Sequence, residues 1–166
     1  MQRAPDQGKT PLNTYLLIKT LHILSSTLLF GTGLGSAYYA LRAWRSGEIL
    51  VIATTFRHLV TADWLFIATT AVFQPVSGIA MAHIAGWPLD QGWLLWSLGL
   101  YVLAGACWLP VVRLQIRVRD MAESALQDGS ELPRLAYVYM RWWFMLGWPA
   151  FLAFLAIFYL MVNKSY

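Results

Sequence analysis

Tyr15 to Leu41, YLLIKTLHILSSTLLFGTGLGSAYYAL, is the stretch on which the reading of this chain turns. The 22 residues from Thr20 to Leu41 carry no formal charge. At a rise of ~1.5 Å per residue they are long enough to cross a hydrocarbon core of ~30 Å. The stretch reads as a membrane-spanning helix. His22 stands near its start, and a polar group in lipid without a hydrogen-bond partner costs roughly 2–7 kcal/mol. What satisfies His22 is the first functional question.

Composition agrees with lipid as the solvent. Of 166 residues 58% are hydrophobic and 12% charged, and the mean hydropathy is +0.54. A soluble domain carries about 25% charged residues. The net charge of +4 is no sign of nucleic acid, because the basic residues bracket apolar runs as topology signals do. Cys107 is the single cysteine, so neither an intrachain disulfide nor a thiolate metal cluster can form. The first apolar run is too long for a cleavable signal and lacks a small-residue cleavage site.

Residues 1–13 read as a polar tail containing Pro5 and Pro11, and 14–166 as one transmembrane domain. The first span, Thr20 to Leu41, ends at Arg42, Arg45 and Ser46-Gly47. The second runs from Trp64 to Ala85, after an amphipathic lead-in with Arg57, His58 and Asp63, and stops at Gly86-Trp87-Pro88. The third, Trp93 to Val112, continues as a charged helix to Asp128-Gly129-Ser130; the fourth, Trp142 to Val162, is entered through Arg134 and Arg141. The expected fold is all-α, an integral membrane four-helix bundle.

Arg42, Arg45, Arg57, Arg113, Arg117, Arg119, Arg134 and Arg141 fall at one end of such a bundle, and Arg3, Lys9, Lys19 and Lys164 at the other. The positive-inside rule then places both termini outside the cytoplasm, for a bacterial inner membrane on the periplasmic side. Trp87, Trp93 and Trp96 read as anchors at the outer boundary, and Trp44, Trp142 and Trp143 at the inner one. Pro75, Pro110 and Pro149 lie within helices, where neighbours re-satisfy the freed backbone groups. Gly31 and Gly35 have the spacing of closely packed membrane helices.

Counted from the ends of the apolar runs, His22 and His83 lie at one depth near the outer boundary of adjacent antiparallel spans. Two imidazoles so placed suit the two axial positions of a haem iron. Ser26, Gly33, Ala37 and Ala40 share the face of His22 and leave a slot; Phe73, Val76 and Ala80 supply a wall, and Lys19 can meet a propionate. The plainer reading of either histidine is a hydrogen bond to a serine or carbonyl on a neighbouring helix. His58 belongs to the opposite end, roughly 30 Å or more from His83. Asp63 and Arg141 read as a structural ion pair, with a proton path or an anion site of Arg57, His58 and Arg141 as the functional alternative.

The phrases LLFGTGLGSAYYALRAWRSG, ADWLF, AHIAGWP, YVLAGACWLPVVRLQIRVRD and RWWFMLGWPAFLAFLAIFYLMV resemble an uncharacterised bacterial family of predicted integral membrane proteins. The layout is similar, more distantly, to copper-resistance-D-like domains and HemJ-type protoporphyrinogen oxidases. In the latter a K-x-x-H pattern on the first helix supplies a haem ligand, matched here by Lys19-Thr20-Leu21-His22, and Pro75 to Gly78 matches the second helix. Trp93 matches the start of the third helix, but Ser97 stands where those enzymes carry a functional lysine. The resemblance thus implies haem b held through His22 and argues against porphyrinogen oxidation, the second alternative.

The expected function is a b-type haem protein with His22 and His83 as iron ligands, flanked by Lys19, Ser26 and Gly33. It would transfer electrons near the periplasmic face with a quinol or other membrane partner. The first alternative is a non-redox assembly subunit or small permeation protein without cofactor. Nucleic acid is not an expected partner; a homo-oligomer is compatible with the sequence.

Overall fold

The structure is a computed structural model and describes residues 9–163, with side chains from Leu12 onward. Helix α1 spans Lys9–Ser46. The second rod joins α2, Ile49–Ala62, through a π-helical segment, Asp63–Ala68, to α3, Thr69–Ile84. Helices α4, Gly92–Asp128, and α5, Arg134–Asn163, complete the chain. All four rods are long and apolar enough to cross a membrane. The expected all-α bundle is what forms.

Glycines punctuate it. Gly47, Gly86 and Gly129 have φ of 71°, 71° and 62°, the left-handed conformation that glycine adopts without steric cost, and each stands in one of the three turns between rods. These are the stops expected from Ser46-Gly47, Gly86-Trp87-Pro88 and Asp128-Gly129-Ser130. The helices outrun the apolar segments: α1 already starts at Lys9, inside the stretch read as tail, and the amphipathic lead-in of the second span is continuous with it. At ~1.5 Å per residue the 37 residues of α4 reach about 55 Å, so its arginine-bearing end extends past a ~30 Å core. There Arg57 of α2 holds Glu123 of α4 at 2.8 Å.

The tightest packing lies toward that arginine-bearing end. Phe56, Ala40, Val118 and Ala122 are wholly buried, with Ile52, Met140 and Trp143 beside them. Beyond this common core the rods pack as two helix pairs, joined where Phe30 of α1 meets Phe151 and Phe158 of α5. Helix α1 packs on α3, and α4 packs on α5, while α3 barely touches α4 along the backbone. A cavity lies between the pairs.

Two expectations change here. Trp93 and Trp143, read as boundary anchors, are buried at 7% and 6% exposure, whereas Trp96 and Trp142 do face outward. An indole in sequence looks the same in either place; only the helix face decides. A Cβ added at Gly31 or Gly35 would meet nothing within 4 Å, so this pair does not mark a helix crossing within the chain.

Pro75 shows how an intramembrane proline is accommodated. Its ring nitrogen cannot donate to the carbonyl of Ala71 one turn earlier, and the hydroxyl of Tyr101 on α4 donates to that carbonyl instead, at 2.6 Å. This bond bridges the two helix pairs. Tyr101→Phe is expected to lower unfolding stability in detergent by about 1–2 kcal/mol. In a Pro75→Ala background the same change should cost much less, because the restored amide at position 75 satisfies Ala71. Equal losses in both backgrounds would show that the bond has another role.

Candidate functional site

Two polar sites interrupt the apolar interior. The first joins α1 to α3. His22 Nδ1 lies 2.7 Å from Ser77 Oγ, and the Ser77 hydroxyl donates to the carbonyl of Phe73 at 2.7 Å, with that of Gln74 also in range at 3.1 Å. A hydroxyl has one proton. With that proton directed to the backbone, Ser77 Oγ accepts from His22 Nδ1–H, and the lone pair of the imidazole falls on Nε2. Gln74 Nε2 adds bonds of 2.9 Å to the His22 carbonyl and to Ser25 Oγ. Gly78 makes room for the ring: a Cβ built there would lie 3.5 Å from His22 Cε1.

These contacts fix the antiparallel register. His22 pairs with Ser77, and Ser25 with Gln74. Continued along both helices, the same register puts His83 level with Leu16. His83 is therefore about 9 Å along α3 from Ser77 and turned by roughly 240°, and its side chain is exposed. The structure does not bring His22 and His83 together across this interface. Lys19 is exposed and lies 6.0 Å from the centroid of the Tyr15 ring, Ser26 donates to the carbonyl of Ile23 at 2.7 Å, and Gly33 belongs to the second site. The ends of the apolar runs do not mark common levels, because the helices extend past them and the runs are staggered.

The second site is the cavity, about 480 Å³, between α1, the π-helical segment, α4 and α5. Its walls are mainly apolar, with Phe30, Tyr101, Phe151 and Phe154 among them. Gly33, Gly105 and Gly147 also line it, one from each of three helices, and a Cβ added at any of them would meet nothing within 4 Å. No close approach demands glycine there. The space they leave is part of the cavity.

Asp63 and Gln115 also line this space, exposed to only 2% and 1%. Gln115 supplies a side-chain hydrogen bond to the Asp63 carboxyl. Among the described residues the remaining atoms, Asp63 Oδ2 and Gln115 Oε1, have no partner, and neither do the indole nitrogens of Trp108 and Trp143, two further lining residues. Two acceptors and two donors on lining residues are thus buried without partners, and an unmet buried hydrogen bond costs about 1–3 kcal/mol. Asp63 opens the π-helical segment, a rare turn often found at functional positions.

The ion pair expected between Asp63 and Arg141 is not formed. Arg141 faces outward, whereas Asp63 turns inward to Gln115. Both begin an apolar stretch, but they lie on different sides of their helices. Gln115 escapes a reading of the sequence for charges and histidines, although it continues the buried face of Ala104, Cys107 and Val112 on α4. A polar residue on such a face is the signal available in the sequence. Among the described residues no group of three His, Cys, Asp or Glu side chains converges to hold a metal ion.

A family model described as a predicted integral membrane protein, DUF2269, matches residues 16–165. The chain belongs to the DUF2269 family. No curated protein and no solved structure matches it. Both polar sites of this DUF2269 protein, His22 with Ser77 and Asp63 with Gln115, lie within the matched residues.

Proposed function

We propose that this DUF2269 protein binds a lipid-soluble ligand of the quinone or quinol type inside the bilayer, in the cavity ending at Asp63 and Gln115. The carrying observation is the combination of an apolar, aromatic chamber of about 480 Å³ with four unpartnered, buried hydrogen-bonding atoms on the residues that line it. That volume lies in the range of cavities that enclose small organic ligands. A quinone carbonyl accepts a hydrogen bond and suits the buried indole N–H of Trp108 or Trp143, and a quinol hydroxyl donates one and suits Asp63 Oδ2 or Gln115 Oε1; binding would turn these side chains toward the cavity they line. An ionisable side chain within a membrane segment is by default a functional candidate.

The test is a titration of the purified protein in detergent with a short-chain ubiquinone, read by quenching of tryptophan fluorescence. The expected result is saturation at one ligand per chain. Quenching that rises linearly, as from partition into the micelle, would refute the proposal. We place the protein in a bacterial inner membrane with the arginine-bearing end in the cytoplasm and both termini in the periplasm. The support is the clustering of arginines at one end of all four rods.

A second reading, electron transfer through haem b, is favoured by His22 alone. Its Nδ1–H is held by Ser77 and its Nε2 lone pair is left available, the arrangement usual for a ligating imidazole. His83 is not opposite, so this reading requires another sixth ligand or an open iron position. Haem would supply one-electron chemistry; His22 would hold it, and Ser77 would fix the ring. A Soret band that shifts on dithionite reduction and is lost in His22→Ala is the expected signature, and a colourless protein that takes up no added haem would exclude it.

A further inference from the structure

We infer that the groove between α4 and α5 at the arginine-bearing end is a binding site for the phosphate of an anionic phospholipid. The groove has a volume of about 350 Å³ and is lined by Arg113 and Arg117 of α4 and by Tyr139 and Trp142 of α5, with Pro110 and Leu114 between them. The two arginines stand four residues apart, so they project from one face of the helix about 6 Å apart along its axis.

Three observations point to a lipid. First, the two guanidinium groups are unpaired among the described residues: Arg57 is held by Glu123 and Arg119 by Asp120, but Arg113 and Arg117 have no acidic or hydrogen-bonding partner there. Cations left free beside one another call for an outside anion, and a planar guanidinium matches phosphate oxygens in pairs. Second, the level is that of a headgroup. Residues 91–112 carry no formal charge, and Arg113 is the first charged residue after them. Third, the flanks are apolar and face outward, with Leu109 57% and Met145 53% exposed, so acyl chains can run down α4 and α5 from a phosphate held above. Trp142 and Tyr139 are residues enriched at the interfacial level, and basic sites between helices at that level suit anionic headgroups.

Native mass spectrometry of the detergent-purified chain tests this. With equal amounts of cardiolipin and phosphatidylethanolamine, the protein is expected to retain cardiolipin at least fivefold more. Arg113→Gln/Arg117→Gln should remove the preference. Arg42→Gln/Arg45→Gln, which takes two charges from the same end outside the groove, should leave it intact. Because the replaced side chains are exposed, α-helical circular dichroism is expected to be unchanged in both variants. Arg113→Lys/Arg117→Lys, a milder change, should retain only part of the preference. Displacement of cardiolipin by millimolar inorganic phosphate would instead identify a site for free anions and overturn the lipid assignment. Equal loss in both glutamine variants would reduce the effect to overall charge and overturn it as well.

Discussion

Replacing both members of the buried polar pair, Asp63→Leu with Gln115→Met, is expected to raise unfolding stability in detergent while weakening quinone binding roughly tenfold or more. Both side chains are almost wholly enclosed, and each has an oxygen without a partner. An unmet buried polar atom costs about 1–3 kcal/mol, and replacing both partners of a polar pair with apolar groups of similar shape is near neutral or stabilising. The expected gain is therefore about 1–3 kcal/mol. Asp63→Leu alone should gain less or lose, because it leaves the Gln115 amide without its acceptor. The ligand loses hydrogen bonds worth about 0.5–1.5 kcal/mol each, and 1.4 kcal/mol corresponds to a factor of ten in affinity. Stability is read by thermal unfolding and affinity by the fluorescence titration. If the double variant were less stable and bound quinone as before, the pair would be a structural fastener with no part in binding.

Filling the cavity separates its volume from its polar groups. Gly105→Leu, or independently Gly147→Leu, is expected to abolish saturable quenching without reducing stability. Space is open at both positions, so the new side chain enters the chamber and not a neighbouring helix. Removing a glycine from a helix interior gains about 0.5–1 kcal/mol, and filling a void recovers lost contacts. Gly31→Leu is the control: this glycine is exposed and outside the cavity lining, so binding should persist. Retained affinity in both filled variants would place the ligand elsewhere. The polar-pair and filling variants are both needed, since a ligand held by shape alone would be lost on filling yet survive removal of Asp63 and Gln115.

The architecture was legible because lipid leaves few choices. A run of some 20 residues without charge must satisfy its backbone internally, and only a helix does so within one segment. Charge-free runs after Lys19, Asp63, Asp90 and Arg141, with glycine at each turn, were enough to define four rods. The site was less legible. His22 could be recognised as a polar group needing a partner, and Ser77 is a partner of the plainer kind anticipated. Its proposed counterpart His83 could not be placed, since a stagger of six residues between α1 and α3 leaves both sequences unchanged.

Asp63 shows the same division. Its cost in a membrane segment singled it out, but the sequence did not distinguish Arg141 from Gln115 as its neighbour. That choice depends on rotation about the helix axes and on which pairs of rods separate. Local physics, meaning backbone hydrogen bonding, hydrophobic length and the conformational freedom of glycine, determined the spans and their turns from sequence alone. The cavity between the helix pairs, the pairing of His22 with Ser77 and the enclosure of Asp63 with Gln115 were decided only by tertiary packing, because each brings together side chains separated by about fifty residues or more whose relative phase no local preference controls.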